Sequence, residues 1–393
     1  MIIGGRTTRT FTLVKVTASD GRYGIAEAYG SPGAGIAEQI KALEPELLGK
    51  DPLEIDRIFT FLGEVGPGTG RRTDGSAHML LRAASGIEMA LWDLAGKIVN
   101  LPLSIMMGGR FRDRVRLYDH ARPRNMFDPG SIRQWADAIR ANPSGFTAHK
   151  INIQRTHPVW ETSDDPQSAP DSNKDVGNRF LTSKEVSRIA QGFENMRDAI
   201  GWDHDLMVHC HWELDLPSAL RLAEALAPVK PLWLEDPLPV DYTEGWKQLV
   251  LKSPVPIHTG ENLGRREGFL PFIANQATHF INPDLRNSGG FLETKRIADL
   301  ASLYAIPTTT HNTGSLLHTY QVAQWAASIR DFVICETSGL GEGPPDWRDE
   351  MLNLEGPIIE NGTIRVSDKP GTGVELNQKI IEANLVPGQK WWG

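Results

Sequence analysis

Leu206-Met-Val-His209-Cys-His211 and Pro231-Leu-Trp-Leu-Glu235-Asp236 are the first of six short, largely apolar segments that end in ionisable side chains. The other four end at Glu261, Asp284, His311 and Glu336. Successive polar ends lie about 25 residues apart, and helix-like segments such as 218–227 and 292–304 fill most of the intervals. Strand and helix repeated at this spacing build a parallel sheet, which enough repeats close into a (β/α)8 barrel with its active site at the carboxyl ends of the strands.

The polar residues stand at the ends of the strands and are not scattered along them. A single terminal carboxylate is most simply a helix N-cap or a member of a loop ion pair. Six ionisable ends in succession instead favour side chains that share the rim of one site.

The remaining sequence predicts a second, smaller domain. With 393 residues, the chain is long enough for a barrel and such a domain. Alternating residues over 11–17 and 21–28 predict two antiparallel strands, and helical periodicity over 77–99 predicts a long helix. Short strands and turns after Glu336 indicate that the tail returns to this first domain.

We therefore expect an α/β protein with three parts. Residues 1–112 form an N-terminal α+β capping domain, residues 113–338 form the (β/α)8-type barrel, and residues 339–393 complete the capping domain. The Gly-rich segment 66–75 and the polar segment 154–178 are predicted to be loops at the rim that read the stereochemistry of a substrate.

Charge and hydropathy exclude several classes of partner. The net charge of −8 is spread along the chain, and no basic cluster with interleaved aromatic residues offers a nucleic-acid surface. The sequence has no basic-then-apolar leader and no apolar run of about 18 residues. We expect a cytoplasmic protein that binds neither nucleic acid nor membrane.

The ends of three adjacent predicted strands offer metal ligands. His209, Glu235 and Glu261 follow one another at this edge of the barrel. Hard oxygen ligands suit Mg²⁺, with water and a substrate carboxylate completing the coordination. Such an ion would stabilise negative charge on a bound carboxylate, which makes the α-proton of a carboxylic acid removable.

Other predicted strands end in candidate acid–base residues. His311 is a candidate base, and Asp284, at the end of the preceding strand, can accept a hydrogen bond from its other ring nitrogen. His211 shares a strand face with His209 but has no metal role, so it is free to protonate a leaving hydroxyl. Lys150 and Asn152 face the barrel axis from the second strand by the same alternation.

Four motifs extend over most of the chain: Ala83-Ala-Ser-Gly-Ile-Glu-Met-Ala-Leu-Trp-Asp-Leu-Ala-Gly-Lys97, Trp233-Leu-Glu-Asp-Pro237, Gly260-Glu261-Asn262, and Pro283-Asp284 leading to Gly289-Gly290. Together they resemble the enolase superfamily, mandelate racemase subgroup, and most nearly its sugar-acid dehydratases of the galactonate and mannonate type. Sites of this superfamily use a Lys or His base with Mg²⁺.

The resemblance implies roles for the site residues. Glu235 and Glu261 match metal ligands, His311 and Asp284 the catalytic dyad, Glu336 the acid that hydrogen-bonds the substrate carboxylate, and His211 the general acid. Lys150-Ile-Asn152 resembles a Lys-x-Asn variant of the second-strand motif, in which the second lysine is absent. Loss of that base leaves chemistry on one face, which favours dehydration over racemisation.

One position departs from the resemblance. The first metal ligand is usually Asp, whereas His209 stands there. The replacement removes one negative charge, and nitrogen is a poor donor to Mg²⁺ but acceptable to Mn²⁺, Fe²⁺ or Zn²⁺. Either the site binds Mg²⁺ weakly or prefers another divalent metal, or the barrel has lost catalysis.

The sequence therefore predicts a lyase, specifically a hydro-lyase that converts an aldonic or aldaric sugar acid to a 2-keto-3-deoxy acid with Mg²⁺, Mn²⁺ or another divalent metal. The alternatives are a racemase or epimerase of the same superfamily, and a non-catalytic or weakly active barrel that binds sugar acids. The partner is a small-molecule sugar acid, and we expect a homo-oligomer between a dimer and an octamer.

Overall fold

The structure is a computed structural model that describes residues 1–4, 10–30, 33–66, 70–71, 76–153, 179–337 and 346–392. The two predicted rim loops, 66–75 and 154–178, lie largely outside these ranges. Within the described ranges, no helix is long and apolar enough to cross a membrane.

The N-terminal region is an antiparallel sheet packed on a long helix. Its strands are β1 (Ile2–Ile3), β2 (Phe11–Thr17) and β3 (Tyr23–Ala28), paired in that order. Its helices cover Ala34–Leu47, Ile55–Glu64 and Ser76–Val99, with the short antiparallel pair β4 (Val65–Gly66) and β5 (Gly70–Arg71) before the last of them. The hairpin and the long helix predicted from periodicity are confirmed.

Glycine permits the close approach of this sheet and helix. A Cβ atom added at Gly24 would lie 2.0 Å from the carbonyl oxygen of Ala90, and one added at Gly86 would lie 2.6 Å from the Cβ atom of Ala28. Because interiors are close-packed, a larger residue at either glycine would force the two elements apart.

Eight parallel strands form the barrel. They are β6 (Arg114–Tyr118), β7 (Ala148–Asn152), β8 (Asp205–His209), β9 (Leu234–Glu235), β10 (Ile257–Thr259), β11 (Phe280–Ile281), β12 (Thr308–Thr310) and β13 (Phe332–Glu336). Strands β7 to β13 pair in sequence order, and β13 pairs with β6. The ring closes where the Asp119 amide donates to the Ala148 carbonyl at 3.1 Å and the Lys150 amide donates to the Asp119 carbonyl at 2.9 Å. The predicted (β/α)8 fold is confirmed.

Helices follow the strands and cover the outside of the barrel. They run over Pro129–Ala141, Ser183–Ile200, Leu216–Leu226, Glu244–Lys252, Arg265–Ala274, Leu285–Ser288, Gly290–Leu303 and Leu316–Ala327, with a 3-10 turn at Ala227–Val229. A further short helix, Leu103–Met106, precedes β6. Side-chain caps begin several of them, as where the Asp215 carboxylate accepts from the Ser218 amide at 2.7 Å. Buried apolar side chains such as Trp246, Phe269 and Phe272 fill the layer between strands and helices.

The C-terminal segment contacts both the barrel and the N-terminal region. Strands β14 (Ile359–Glu360) and β15 (Thr363–Arg365) form a hairpin beside β6, and a helix follows at Gln378–Ala383. The Gly4 amide donates to the Asn384 carbonyl at 3.0 Å, so the two ends of the chain meet.

The capping domain reaches the barrel rim through Glu27 on β3. Its Oε2 atom accepts from the Ser315 amide at 2.8 Å, and its Oε1 atom accepts from the guanidinium of Arg286. All of these groups are buried, so the contact fixes the capping domain on the rim beside the polar strand ends.

Candidate active site

The two residues predicted as a dyad are in contact at the ends of β11 and β12. Nδ1 of His311 lies 2.8 Å from Oδ2 of Asp284. Asp284 also accepts from Arg286, whose Nη2 and Nε lie 2.7 and 3.0 Å from its oxygens. These bonds orient the imidazole so that its Nε2 lies 3.6 Å from Glu261 and 3.7 Å from Glu336.

The charges around the pair set its protonation. Burial acts to lower the pKa of His311, but Glu261 and then Glu336 outweigh it and raise that pKa to about 9. Burial acts to raise the pKa of Asp284, yet Arg286 and His311 hold it well below its usual range. Charge on Glu261 and Glu336 therefore favours the protonated form of His311, and neutralisation of Glu261 would favour its neutral, basic form.

Glu336 ends β13 among several donors. Its Oε1 lies 2.6 Å from Nε2 of His120 and 3.0 Å from Nζ of Lys150, and its Oε2 accepts from the Asn312 amide at 3.1 Å. Burial opposes the charge on Glu336, but Lys150 and then His311 outweigh it and hold the pKa of the carboxyl well below its usual range. Glu336 is thus an ionised group facing the dyad.

Lys150 and Asn152 project from β7. The buried Nζ of Lys150 donates to Oε1 of Glu235 at 2.8 Å. Burial acts to lower the pKa of Lys150, but Glu235 and Glu336 raise it overall, so the amine stays charged. Asn152 lies beside His209 in the β7–β8 register, and its Oδ1 has no hydrogen-bond partner within the described structure.

His209, Glu235, Asp236 and Glu261 gather at the ends of β8, β9 and β10. Each residue offers one possible ligand atom, and these four atoms all lie within 4.8 Å of one another. Nε2 of His209 is 3.5 Å from Oδ2 of Asp236 and 3.9 Å from Oε2 of Glu261. Burial raises the pKa of Glu261 to about 7, and burial together with Glu261 raises the pKa of Asp236 well above its usual range.

A divalent cation fits this set of donors. Buried carboxylates are costly without a counter-charge, and Oδ2 of Asp236 and Oε2 of Glu261 have no hydrogen-bond partner among the residues described. Burial, then His211 and Lys150, lower the pKa of His209 far below its usual range, so its imidazole is neutral and can offer a lone pair. A mixed nitrogen and oxygen set suits Mn²⁺, Fe²⁺ or Zn²⁺ better than Mg²⁺.

His211 stacks against His209. The two ring centroids lie 3.6 Å apart with an interplanar angle of 14°. Its backbone φ of 51° is left-handed, which is uncommon for a residue other than glycine. Burial and the Lys150 charge lower the pKa of His211 to about 3. The ring is therefore neutral, and its Nδ1 has no hydrogen-bond partner within the ranges that the structure describes.

The structure brings all the sequence-predicted site residues to one rim: Lys150, Asn152, His209, His211, Glu235, Glu261, Asp284, His311 and Glu336. Sequence reasoning missed Asp236 and His120. Asp236 directly follows Glu235 and should face away by strict alternation, but its φ of 45° takes it out of the strand conformation. His120 follows the first barrel strand, which is the same positional signal that identified the other residues.

Two family descriptions match the chain. The description Mandelate racemase / muconate lactonizing enzyme, N-terminal domain, covers residues 1–108, and Enolase C-terminal domain-like covers residues 133–380. The chain therefore belongs to the enolase superfamily. Within that superfamily it is a member of the mandelate racemase subgroup.

Individual relatives agree with this assignment. The D-xylonate dehydratase of Haloferax volcanii is 33% identical over 378 residues, which is 96% of this chain and 86% of the relative. The D-galactonate dehydratase family member RspA of Cellvibrio japonicus is 27% identical, over 95% of this chain and 90% of the relative. The crystal structure of a mandelate racemase/muconate lactonizing enzyme-like protein from Rubrobacter xylanophilus superposes with a TM-score of 0.86 at 30% identity, covering 100% of this chain and 97% of that one.

Proposed function

We propose that the protein is a hydro-lyase that removes water from an aldonic or aldaric acid and yields a 2-keto-3-deoxy acid. The observation that carries the proposal is the buried pair of His311 and Asp284, with Nε2 of His311 3.6 Å from Glu261 of the cation-binding cluster. A base beside a cation site suits abstraction of a proton next to a carboxylate. The sugar-acid dehydratases among the relatives support the reaction class.

His311 is the base that removes the C2 proton. Asp284 accepts the hydrogen bond of Nδ1, so the other nitrogen is left to receive the proton. A well-placed general base contributes about 10²–10⁴ to the rate. Once Glu261 is neutralised, the largest of the charges that keep His311 protonated is removed.

Lys150 and Glu336 act on the substrate carboxylate. Their contact at 3.0 Å places a permanent cation and a hydrogen-bonding carboxyl in one region of the rim. The positive Lys150 attracts the carboxylate. Glu336 is ionised in the free protein, so it takes up a proton before it donates a hydrogen bond to the substrate carboxylate as charge builds. A divalent cation held by His209, Glu235 and Glu261 would supply further stabilisation of that charge.

His211 assists loss of the C3 hydroxyl. The electron pair left at C2 forms the C2–C3 double bond as the C3–O bond breaks, and the hydroxide takes a proton from His211 and leaves as water. The resulting enol then takes a proton at C3 and gives up the proton of its C2 hydroxyl, which yields the 2-keto acid. Burial, and then the Lys150 charge, keep the His211 ring neutral in the free protein, so His211 takes up a proton before it acts as the acid. Pairing of Lys150 with the substrate carboxylate favours that uptake.

The second strand favours elimination over racemisation. Glu235 and Glu336 hold Lys150 as a cation, so it has no lone pair to accept a proton, and Asn152, which follows two residues later, cannot act as a base. Among the residues that the structure describes, His311 is then the group assigned to move a proton at C2, so proton exchange on both faces is not supported.

A screen of sugar acids tests the proposal. Protein treated with EDTA is assayed for 2-keto acid with D-xylonate, D-gluconate, D-galactonate and D-mannonate, each with Mg²⁺, Mn²⁺ or Zn²⁺. D-xylonate comes first because the 33% identical relative is named for it. Metal-dependent keto acid from at least one substrate is the expected result.

Two other outcomes would replace the proposal. Deuterium incorporation at C2 in D₂O without any keto acid would indicate a racemase or epimerase. Saturable binding of a sugar acid with neither product nor exchange would indicate a barrel that binds and does not catalyse.

A further inference from the structure

Asp236 has a free oxygen at the centre of the cation-binding cluster. The residue is fully buried at 0% exposure, and its Oδ1 accepts from the Thr259 hydroxyl at 2.5 Å. Its Oδ2 has no hydrogen-bond partner in the described ranges and lies 3.5 Å from Nε2 of His209. One oxygen is thus held by the protein, and the other is presented to the cluster.

Glu235 differs from Asp236 in this respect. Its Oε1 accepts from Lys150 at 2.8 Å, and its Oε2 accepts from the Trp233 indole at 2.8 Å. Buried polar atoms are nearly always bonded, so those that are not need an explanation, and a bound ion is one. In this cluster such atoms belong to His209, Asp236 and Glu261, with exposures of 3%, 0% and 8%.

The backbone accounts for the position of Asp236. Strand β9 ends at Glu235, and Asp236 has a φ of 45°, which breaks the alternation of a strand. Left-handed residues other than glycine are uncommon, and they cluster at functional sites, where surrounding contacts hold them. Here the Trp212 amide donates to the Asp236 carbonyl at 2.6 Å and helps to hold this conformation.

We propose that Asp236 is a metal ligand and supplies the negative charge that His209 does not. His209, Asp236 and Glu261 bind the ion through atoms that otherwise have no hydrogen-bond partner, and Glu235 completes the set. The site then carries three carboxylates together with a neutral nitrogen. This inference rests on the divalent-metal reaction proposed above, and it concerns binding of the ion, which can be measured without turnover.

Titration of the full-length, metal-free protein with Mn²⁺ tests the inference, with free Mn²⁺ followed by electron paramagnetic resonance. The variants are Asp236→Asn and a matched control, Asp119→Asn. Asp119 is also buried at the end of a barrel strand, but its carboxylate lies 2.6 Å from His149 and is outside the cluster. Asn is among the residues that tolerate positive φ, so Asp236→Asn should keep the backbone.

We expect Asp236→Asn to weaken Mn²⁺ binding by at least about tenfold and Asp119→Asn to bind as the wild type does. Asp236→Gly, which also accepts positive φ, should show the same loss. The unfolding midpoint of Asp236→Asn in EDTA should not fall, because the substitution removes repulsion among buried carboxylates. A purely structural role would instead lower that midpoint.

Wild-type affinity in both Asp236 variants would overturn the inference. If the wild type nevertheless dehydrated a sugar acid, the proposed function would stand, and Asp236 would not be a ligand. If the wild type bound Mn²⁺ with the expected dependence on Asp236 but dehydrated no sugar acid, only the proposed function would fail. Absence of divalent-metal binding by the wild type would overturn both.

Discussion

The two sides of the barrel rim differ in how completely the protein bonds the oxygens of their buried carboxylates. On the β11–β12 side, Asp284 accepts from Arg286 and holds His311 at 2.8 Å. On the β8–β10 side, atoms of His209, Asp236 and Glu261 have no hydrogen-bond partner in the part of the chain described. The difference supports the proposals that the protein alone assembles the acid–base side and that a cation completes the other side.

Removal of the metal should have the largest effect. A divalent ion contributes several kcal/mol to stabilisation of developing charge, so chelation should lower the rate of dehydration by about 10³ or more. It should also lower the unfolding midpoint, because an ion that binds only the folded state stabilises it by about 2.7 kcal/mol at 100 times its Kd. Rates and melting curves with EDTA, and after addition of Mn²⁺, check this. Full activity in protein shown to be free of metal would contradict the comparison.

Asp284→Asn should damage only the acid–base side. The amide cannot hold His311 in the tautomer that a base requires, and we expect a loss of about 10²–10⁴ in kcat with little change in metal affinity. Keto acid formation and Mn²⁺ titration measure the two effects separately. Asp119→Asn is the matched control and should turn over nearly as the wild type does. Equal rates for the two variants would show that the dyad assignment is wrong.

His209→Asp should act on the other side alone. The substitution exchanges a neutral nitrogen for an anionic oxygen, so Mg²⁺ affinity should rise by about tenfold relative to Mn²⁺ affinity, and Mg²⁺-dependent dehydration should rise with it. Parallel titrations of the wild type and the variant with both ions check the ratio. If the wild type already binds Mg²⁺ as tightly, or if the variant loses activity, His209 is a functional group in its own right, either a nitrogen ligand that selects a softer metal or an acid–base group beside His211.

The smallest expected effect is a change in the pKa of His311, on the β11–β12 side of the rim, when Glu261 on the other side is substituted. In the metal-free protein its pKa is about 9, because attraction to carboxylates outweighs the effect of burial. Glu261 makes the largest contribution among these carboxylates. Because the base must be neutral, kcat/KM of the metal-loaded protein should rise as pH rises through the pKa of His311, which neutralisation of Glu261 by the cation places below its metal-free value. Glu261→Gln should lower the pKa of His311 by about one unit, since one negative neighbour is removed. Nuclear magnetic resonance titration of His311 in the metal-free protein checks the shift, and an unchanged pKa would contradict the account of its charge.

The barrel could be predicted because its repeat is local in sequence. Each of six strands is a short apolar run with a polar end, and parallel strands bring those ends to one edge. The side chains predicted for the site therefore lie together on the rim. They were placed there by their positions at the strand ends. Positions on the rim follow from this rule, whereas roles in catalysis do not.

The parts that could not be predicted depend on backbone exceptions and on contacts distant in sequence. The alternation rule turns Asp236 away from the site, and only its φ of 45° shows that the rule does not hold there. The contact between Glu27 and Arg286 spans 259 positions, so no local pattern reports it. The pKa values of His211 and His311 move in opposite directions because of different charged neighbours, which are known only from the folded structure.

His311→Asn tests the central claim most directly, namely that one oriented histidine removes a proton at a rim completed by a cation. The variant and the wild type are compared for keto acid formation from the sugar acid that the wild type accepts, and for Mn²⁺ affinity. We predict a loss of about 10²–10⁴ in rate with metal affinity nearly unchanged, because His311 is a base and not a ligand. Normal turnover by the variant would contradict the account.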